Sequence, residues 1–514
     1  FCFFILFSML SIVRYNDCNS KRKQINMKFS DEQTEVIECP DRNLTVNAFA
    51  GSGKTSTLVG YASARPEERI LYLAFNASVA GEARNRFPRN VECRTSHSLA
   101  YASFGAMYKH KLGNPRARDA VDFLSSVMRP TDMGRDKYFF AQCALRRVSS
   151  FFGTGSTDDF IPDDPGDAGV ASPGGEVLDA SKVTRAAQHL WDAMKDKSNQ
   201  SVMFRHDGYL KLFQLSRPDL SRYDRILLDE AQDTNPCLLN IIKGQGCGKV
   251  LVGDKHQNIY GFRQSINAMD LVEGSRLDLT SSFRFGDRVA NVANAILGTF
   301  SGERIKIRGL STDRSGIQSR CYLHRTNAGL FDRGVEMVNS GRLPHFVGGV
   351  RNYSFETIAD TWKLSVGQND IRDPFIRRFE SYAALESYAE SVDDREIKSR
   401  MKIVSNYGSS IPQYVDRLVR ADTPVDRAHA TLTTAHKAKG QEWDEVTLGD
   451  DFPEMMLGTV PRTAANAKAF KEKGLSVEEV NLAYVAATRA KKELRESDSM
   501  ADFLRWAGVN SADA

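Results

Sequence analysis

The sequence predicts an α/β protein built on parallel sheets, with a second α/β domain following the first. Three observations predict it. Short, nearly continuous apolar runs end abruptly in small or polar residues, as strands buried on both faces do where their carboxyl ends meet a site. The same pattern returns in the second half of the chain. Between the runs lie long stretches of helical texture. A length of 514 residues suits several domains of roughly 150 residues each. Hydrophobic content of 41% and charged content of 26% are ordinary for globular proteins, which argues against wholesale disorder or a fibre. The 69 basic residues barely outnumber the 65 acidic ones, so any basic surface must be local. The 8 cysteines include no C-x-x-C pair, which disfavours a zinc ribbon or redox pair and fits reduced thiols in a cytosol.

The elements follow in order. Residues 1–26 open on Phe1 and run apolar through Val13 before Lys21-Arg22-Lys23. The run is too short to span a bilayer, and its charges follow it where a secretory signal would place them first. It is expected to be a non-native leader with Met27 as the working start, the alternative being a short anchor or docking helix. Leu44-Thr45-Val46 then leads into a glycine loop, and Ile70 to Leu73 leads into Ala74-Phe75-Asn76. Residues 97–205 have a different, helical texture. Within them Thr154 to Val177 is acidic, contains Gly and Pro and lacks basic residues, so it is expected to be a flexible excursion whose removal leaves folding nearly unchanged. Ile226-Leu227-Leu228 ends in Asp229-Glu230, and Val250-Leu251-Val252 ends in Gly253-Asp254. The second set comprises Cys321-Tyr322-Leu323 before His324-Arg325-Thr326, and Val446-Thr447-Leu448 before Gly449-Asp450-Asp451.

Ala48-Phe49-Ala50-Gly51-Ser52-Gly53-Lys54-Thr55, between the first strand and Ser56-Thr57-Leu58, is a P-loop with alanine at its first, usually glycine, position. Successive backbone N–H groups and a helix start can surround a phosphate there. Ala50, Gly51, Ser52, Gly53, Lys54, Thr55 and Ser56 are the expected nucleotide contacts, with Lys54 reaching the outer phosphates and the Thr55 hydroxyl holding magnesium. Asp229 is the partner metal ligand, and Glu230 is placed to orient and deprotonate the attacking water. These features give a magnesium-dependent nucleoside triphosphatase and nothing sharper.

Further motifs occur in a fixed order. Phe29-Ser30-Asp31-Glu32-Gln33 looks like the adenine-reading Q motif of superfamily 1 helicases. Leu73 to Ala77 and Thr95-Ser96-His97-Ser98-Leu99 resemble motifs Ia and Ib, and Asp229 to Asp233 resembles motif II. Val252 to Arg263 is similar to motif III, and Ser282-Phe283-Arg284 to motif IV. Thr434 to Trp443 looks like motif V, and Tyr484 to Ala490 like motif VI. The chain therefore resembles the UvrD/Rep/PcrA helicases. Within them it looks most like the F-box DNA helicase branch and its short bacterial or phage relatives, on His206 to Leu212 and on Ala435 to Trp443 followed by Asp450-Asp451-Phe452-Pro453. No F-box segment is read ahead of the Q motif.

The resemblance implies two RecA-like domains with ATP between them, each carrying a mainly helical insertion. The first domain is expected over 27–96 and 206–285, with insertion 97–205. The second is expected over 286–360 and 423–505, with a reduced insertion over 361–422, and 506–514 is left as a tail. By the same resemblance Gln33 reads the adenine, Phe283 stacks on it, and Glu442 contacts the ribose. Gln257 senses the γ-phosphate, and Arg284 and Arg489 neutralise transition-state charge. DNA contacts are expected from Phe75, Asn76, Thr95, His97, Tyr260, Phe262, Arg263, Thr434 and His436. Leu482, Val485, Ala486 and Arg489 follow helical spacing, so Arg489 is expected to continue an apolar helix face and to need an anionic partner. A structural salt bridge is the plainer alternative. The implied activity is an ATP-dependent 3′–5′ single-stranded DNA translocase and helicase in repair, recombination or replication. Its rivals are a protein-stripping translocase and an ATP-gated DNA-binding switch. Implied partners are single-stranded DNA and its junctions with duplex, with recombinase filaments or single-strand-binding protein as further candidates and no membrane partner.

Overall fold

The computed structural model describes residues 28–162, 177–261, 265–313, 315–391 and 394–509. The expected leader, the middle of the acidic segment, Phe262 and Arg263 lie outside the described residues.

The first sheet contains β1 (Asn43–Ala48), β2 (Ile70–Ala74), β3 (Val91–Thr95), β4 (Arg225–Leu228), β5 (Gly248–Gly253) and β6 (Ser275–Leu279). Their spatial order is β3-β2-β4-β5-β1-β6, and every ladder is parallel. The second contains β7 (Arg320–His324), β8 (Pro344–Phe346), β9 (Ala430–Thr434), β10 (Trp443–Leu448) and β11 (Ala490–Arg495). It is also parallel, in the order β8-β9-β7-β10-β11.

The apolar runs are strands because both their faces are covered. Leu71, Leu73, Ile226, Leu228 and Leu251 pack into one core, while Ile70, Tyr72, Leu227, Val250 and Val252 pack into another on the opposite face. Alternate residues of one strand thus serve two layers, which removes the polar alternation of a half-exposed strand. Register then brings the carboxyl ends level. Asn47 pairs with Gly253, Leu73 with Leu228 and Ala74 with Thr95, so the segments following β1 to β5 share one edge.

The described residues of 97–205 include helices Ala117–Val127, Lys137–Gly153 and Ala180–Lys195. Their aromatic centre of Phe151, Phe152, Trp191 and Phe204 is continuous with the core on one face of the first sheet. The insertion is therefore the cover of that face. In the second half, the boundary expected at 361 cuts through helix Glu356–Ser365. Ile358 of that helix shares a core with Leu330, Phe346, Ile411, Leu418 and Leu432, so this short insertion likewise caps its sheet. Among the described residues no helix is long and apolar enough to cross a membrane.

The acidic segment requires a correction. Its described start, residues 154–162, is anchored. Lys211, fully buried, donates to Thr154 O at 3.1 Å, Ser156 O at 2.7 Å and Gln214 Oε1 at 2.7 Å, and burial pulls its pKa down to about 8. Trp191 Nε1 donates to Asp159 at 2.6 Å, and Ile161 is buried. The anchors come from helices that the local composition does not reveal. Deleting 154–162 should strand the Lys211 ammonium and lower stability by about 3 kcal/mol. In a domain of this size that is a fall of about 6–12 °C in melting temperature. An unchanged thermal melt would show that the segment does not pack.

Candidate nucleotide site and adjoining groove

The loop after β1 turns through Gly51 and Gly53, at φ of 76° and 79°, where side chains are strained. Space excludes them as well. A Cβ on Gly51 would lie 2.3 Å from Ser282 Oγ, and one on Gly53 would lie 2.7 Å from Gln33 Nε2 and 3.7 Å from the Phe283 ring. Gln33 is fixed by a capping box with Ser30 and donates from Nε2 to Ser52 O at 3.2 Å. The Phe283 ring, 46% exposed, stands beside it. The two expected base-contacting residues therefore meet at the loop.

Ser52 of the loop buries its hydroxyl without a hydrogen-bond partner among the described residues. Thr55 Oγ1 donates to Asp229 Oδ2 at 3.3 Å, and Lys54 Nζ reaches Ala48 O at 3.3 Å. An orphaned hydroxyl, a glycine cradle, a lysine and a hydroxyl–carboxylate pair fit a phosphate chain and a hard cation. Two expected contacts are otherwise engaged. The Ala50 N–H donates to the Tyr484 hydroxyl at 3.0 Å, and Ser56 Oγ accepts from Arg86 at 2.8 Å.

Asp229 is buried and accepts from the Tyr72 hydroxyl at 2.7 Å. Burial, then the charge of Glu230, pushes its carboxyl above the usual range. Glu230 sits in the left-handed region at φ 53°, a conformation an L-residue holds only under constraint. Its constraints are the bond from its own N–H to Asp229 Oδ1 at 2.9 Å and the Gln232 amide on its Oε2 at 2.6 Å. Burial acts to raise its pKa, but Lys54, then Lys439, outweigh it and hold the carboxylate ionised. An ionised carboxylate is what a base requires.

The second half of the chain completes the site. Phe49 and Ala50 of the loop belong to one core with helices Asp287–Phe300 and Val477–Ala487. The fully buried Tyr484 hydroxyl accepts from Ala50 N and donates to Asp254 Oδ2 at 2.8 Å. The same Asp254 oxygen accepts from Gln257 Nε2 at 2.8 Å. Lys439 pairs with Asp233 and donates to Gln257 O at 2.6 Å. Arg284 joins Glu442 at 2.7 Å and Thr488 O at 3.1 Å.

Arg489 differs from expectation. The helix ends at Ala487, so the arginine lies past it, just before β11, and its Nε reaches back to Val485 O at 2.9 Å. Its other partners are Gln441 O at 3.2 Å and Thr488 Oγ1 at 3.3 Å. All are neutral, and no salt bridge engages it among the described residues. Burial, reinforced by the nearby Arg284 charge, lowers its pKa to about 9. Tyr72, Tyr484, Asp254 and Lys439 were not expected. Tyr484, Asp254 and Lys439 stand inside quoted motifs, whereas nothing marks Tyr72 within its apolar strand.

Beside this site runs a cavity of about 820 Å³, lined by Phe75, Asn76, His97 and Tyr260 and reaching Asp229 and Glu230. Phe75, 46% exposed at the end of β2, faces Tyr260 with centroids 6.1 Å apart and rings 10° from parallel. Tyr260 donates to His436 O at 3.2 Å, which ties the segment after β9 to this edge. Burial, then Arg325, lowers the His436 pKa to about 4 and keeps its ring neutral. His97 meets Asp207 at 3.0 Å. Asn76 and Thr95 cap the helices that follow them, accepting from Val79 N and Ser98 N. Thr434 is buried at the end of β9.

Residues 33–263 match an AAA domain, and residues 372–498 match the UvrD-like helicase C-terminal domain. F-box DNA helicase 1 of Gallus gallus is 33% identical over 94% of this chain and 50% of its own length. F-box DNA helicase protein 1 of Schizosaccharomyces pombe is 30% identical over 92% of this chain and 57% of its own. DNA helicase II of Escherichia coli is 24% identical over 53% and 41%. The chain thus spans about half the length of the curated relatives it matches.

Proposed function

We propose that this chain, which belongs to the UvrD-like superfamily 1 helicases, is an ATP-driven single-stranded DNA translocase and helicase moving 3′ to 5′. One observation carries the reading: groups from the second half of the chain meet the site of the first sheet, Tyr484 taking the Ala50 N–H of the loop, Lys439 pairing with Asp233, and the charges of Lys439 and Arg489 acting on Glu230. A cleft built from both halves can change their relative placement as its contents change, which a one-domain nucleotide site cannot do. ATP would be held by Gln33, the loop and Phe283, and magnesium by Thr55 and Asp229. The bound ion would neutralise charge on the outer phosphates. Glu230 would then position and deprotonate water, and Arg284 and Arg489 would stabilise the charge that develops.

Phe75 and Tyr260 supply ring faces in the cavity that Glu230 also lines, where bases of any sequence can stack. Opening a base-pair step costs about 1.4 kcal/mol, a small load per cycle. A gated DNA-binding switch would not need the constrained, ionised Glu230. The substrates on this reading are single-stranded DNA and its junctions with duplex, in repair, recombination or replication. Recombinase filaments or single-strand-binding protein would be what it meets there.

The test is ATP-dependent strand displacement on 3′-tailed, 5′-tailed and blunt duplexes, run beside streptavidin displacement from single strands. Unwinding should require the 3′ tail. Equal unwinding from a 5′ tail would overturn the polarity, and displacement of streptavidin without unwinding would make the protein a stripping motor.

A further inference from the structure

Part of the cavity lining comes from the helical insertion, and it carries two arginines. Arg146 lies on helix Lys137–Gly153, and Arg205 immediately precedes helix His206–Leu215; both line the cavity with Phe75, His97 and Tyr260. Arg205 donates to Ser149 Oγ at 2.6 Å, and Arg146 to Cys143 Sγ at 3.0 Å. Both acceptors are neutral, and among the described residues neither guanidinium forms an ion pair. The carboxylates on the same cavity are each engaged. Asp207 meets His97 at 3.0 Å, Asp233 pairs with Lys439, Glu230 accepts from Gln232, and Asp229 accepts from Tyr72 and Thr55. The insertion side of the cavity thus presents two guanidinium groups outside any ion pair among the described residues, with Arg205 steadied by its serine.

Resting on the function proposed above, we infer that Arg146 and Arg205 form a phosphate clamp. They bind backbone phosphates of the nucleic-acid strand whose bases stack at Phe75 and Tyr260. A guanidinium offers paired donors that match two phosphate oxygens. Phosphate contacts position a strand without reading its sequence, as a motor stepping along any strand requires. The insertion is then one jaw of the groove as well as the cover of the sheet. Inorganic phosphate released beside Glu230 is the other source of the same chemistry, and the test separates the two.

The experiment measures binding of a fluorescein-labelled oligo-dT by anisotropy across a salt series, for the parent protein and for Arg146→Ala, Arg205→Ala and Arg205→Lys. Each alanine variant should bind more weakly and lose about 0.7 from the slope of log affinity against log salt, the single-strand value per phosphate contact. Arg205→Lys should keep the slope, since it keeps the charge. Unchanged slopes in folded alanine variants would overturn the clamp. So would unchanged strand binding with slowed phosphate release, followed with a phosphate-binding fluorescent reporter. If losing the Ser149 bond unfolds Arg205→Ala, the exposed Arg146 decides the matter alone. A parent protein with no salt-dependent strand binding would remove the functional reading itself, and the clamp with it.

Discussion

Glu230→Gln should hydrolyse ATP about 10²–10⁴ times more slowly than the parent protein, the usual cost of losing a positioned general base. It should still bind the nucleotide. The substitution keeps the side chain's length, and a glutamine oxygen can still accept from Gln232, which now holds Glu230 at 2.6 Å. The strained backbone at φ 53° is also supported from the neighbouring Asp229, whose Oδ1 accepts the residue-230 N–H, so the loop should stay in place. What disappears is the negative charge that Lys54 and Lys439 maintain. Lys54→Ala is the contrasting variant, since it removes the ammonium expected on the outer phosphates and should lose tight binding. DNA-stimulated phosphate release and equilibrium binding of a fluorescent ATP analogue separate the two outcomes. Near-normal turnover in Glu230→Gln would move the base to another residue.

Much of this site was legible in the sequence because its chemistry is compressed into short, fixed spacings. A strand, a glycine loop with Lys54-Thr55 and a distant Asp229-Glu230 pair leave little freedom once the strands are parallel and level at their carboxyl ends. Other features were hidden for particular reasons. Asn76 and Thr95 are residue types that cap helices as readily as they meet a backbone phosphate, and here their side chains cap. The acidic segment reads as solvated because its anchors, Lys211 and Trp191, lie on other helices, so the contacts that hold it are non-local. Tyr484 reads as one more aromatic on a buried helix. Only the folded arrangement reveals that its hydroxyl spans Ala50 and Asp254. Helical spacing placed Arg489 on a helix face, and the structure places it past the helix end. The helix stops at Ala487, and the arginine turns back across its end.

That placement makes Arg489 the residue whose stability and function should separate most clearly. Arg489 is only 1% exposed, and the partners of its guanidinium are two carbonyls and a hydroxyl. Burial disfavours its charge enough to bring the pKa to about 9, and the Arg284 charge adds to the strain. A buried cation without a direct ion pair is costly to hold even with the Glu230 and Glu442 charges near it, and apolar residues of similar volume often replace buried charge at no loss, or with a gain of about 1–4 kcal/mol. Arg489→Met should therefore melt at or above the parent temperature, its flexible thioether filling the space of the arginine stem. Turnover should behave oppositely. If the cation is kept to meet charge developing on the transferred phosphate, its loss should cost about 10³–10⁵ in rate, the range of arginine fingers. Nucleotide binding should fall far less than turnover. Thermal melting, equilibrium nucleotide binding and DNA-stimulated phosphate release on one preparation give the three readings. A variant that melts normally and turns over normally would make Arg489 a structural side chain. A large drop in melting temperature would show that its three neutral hydrogen bonds outweigh the burial of its charge.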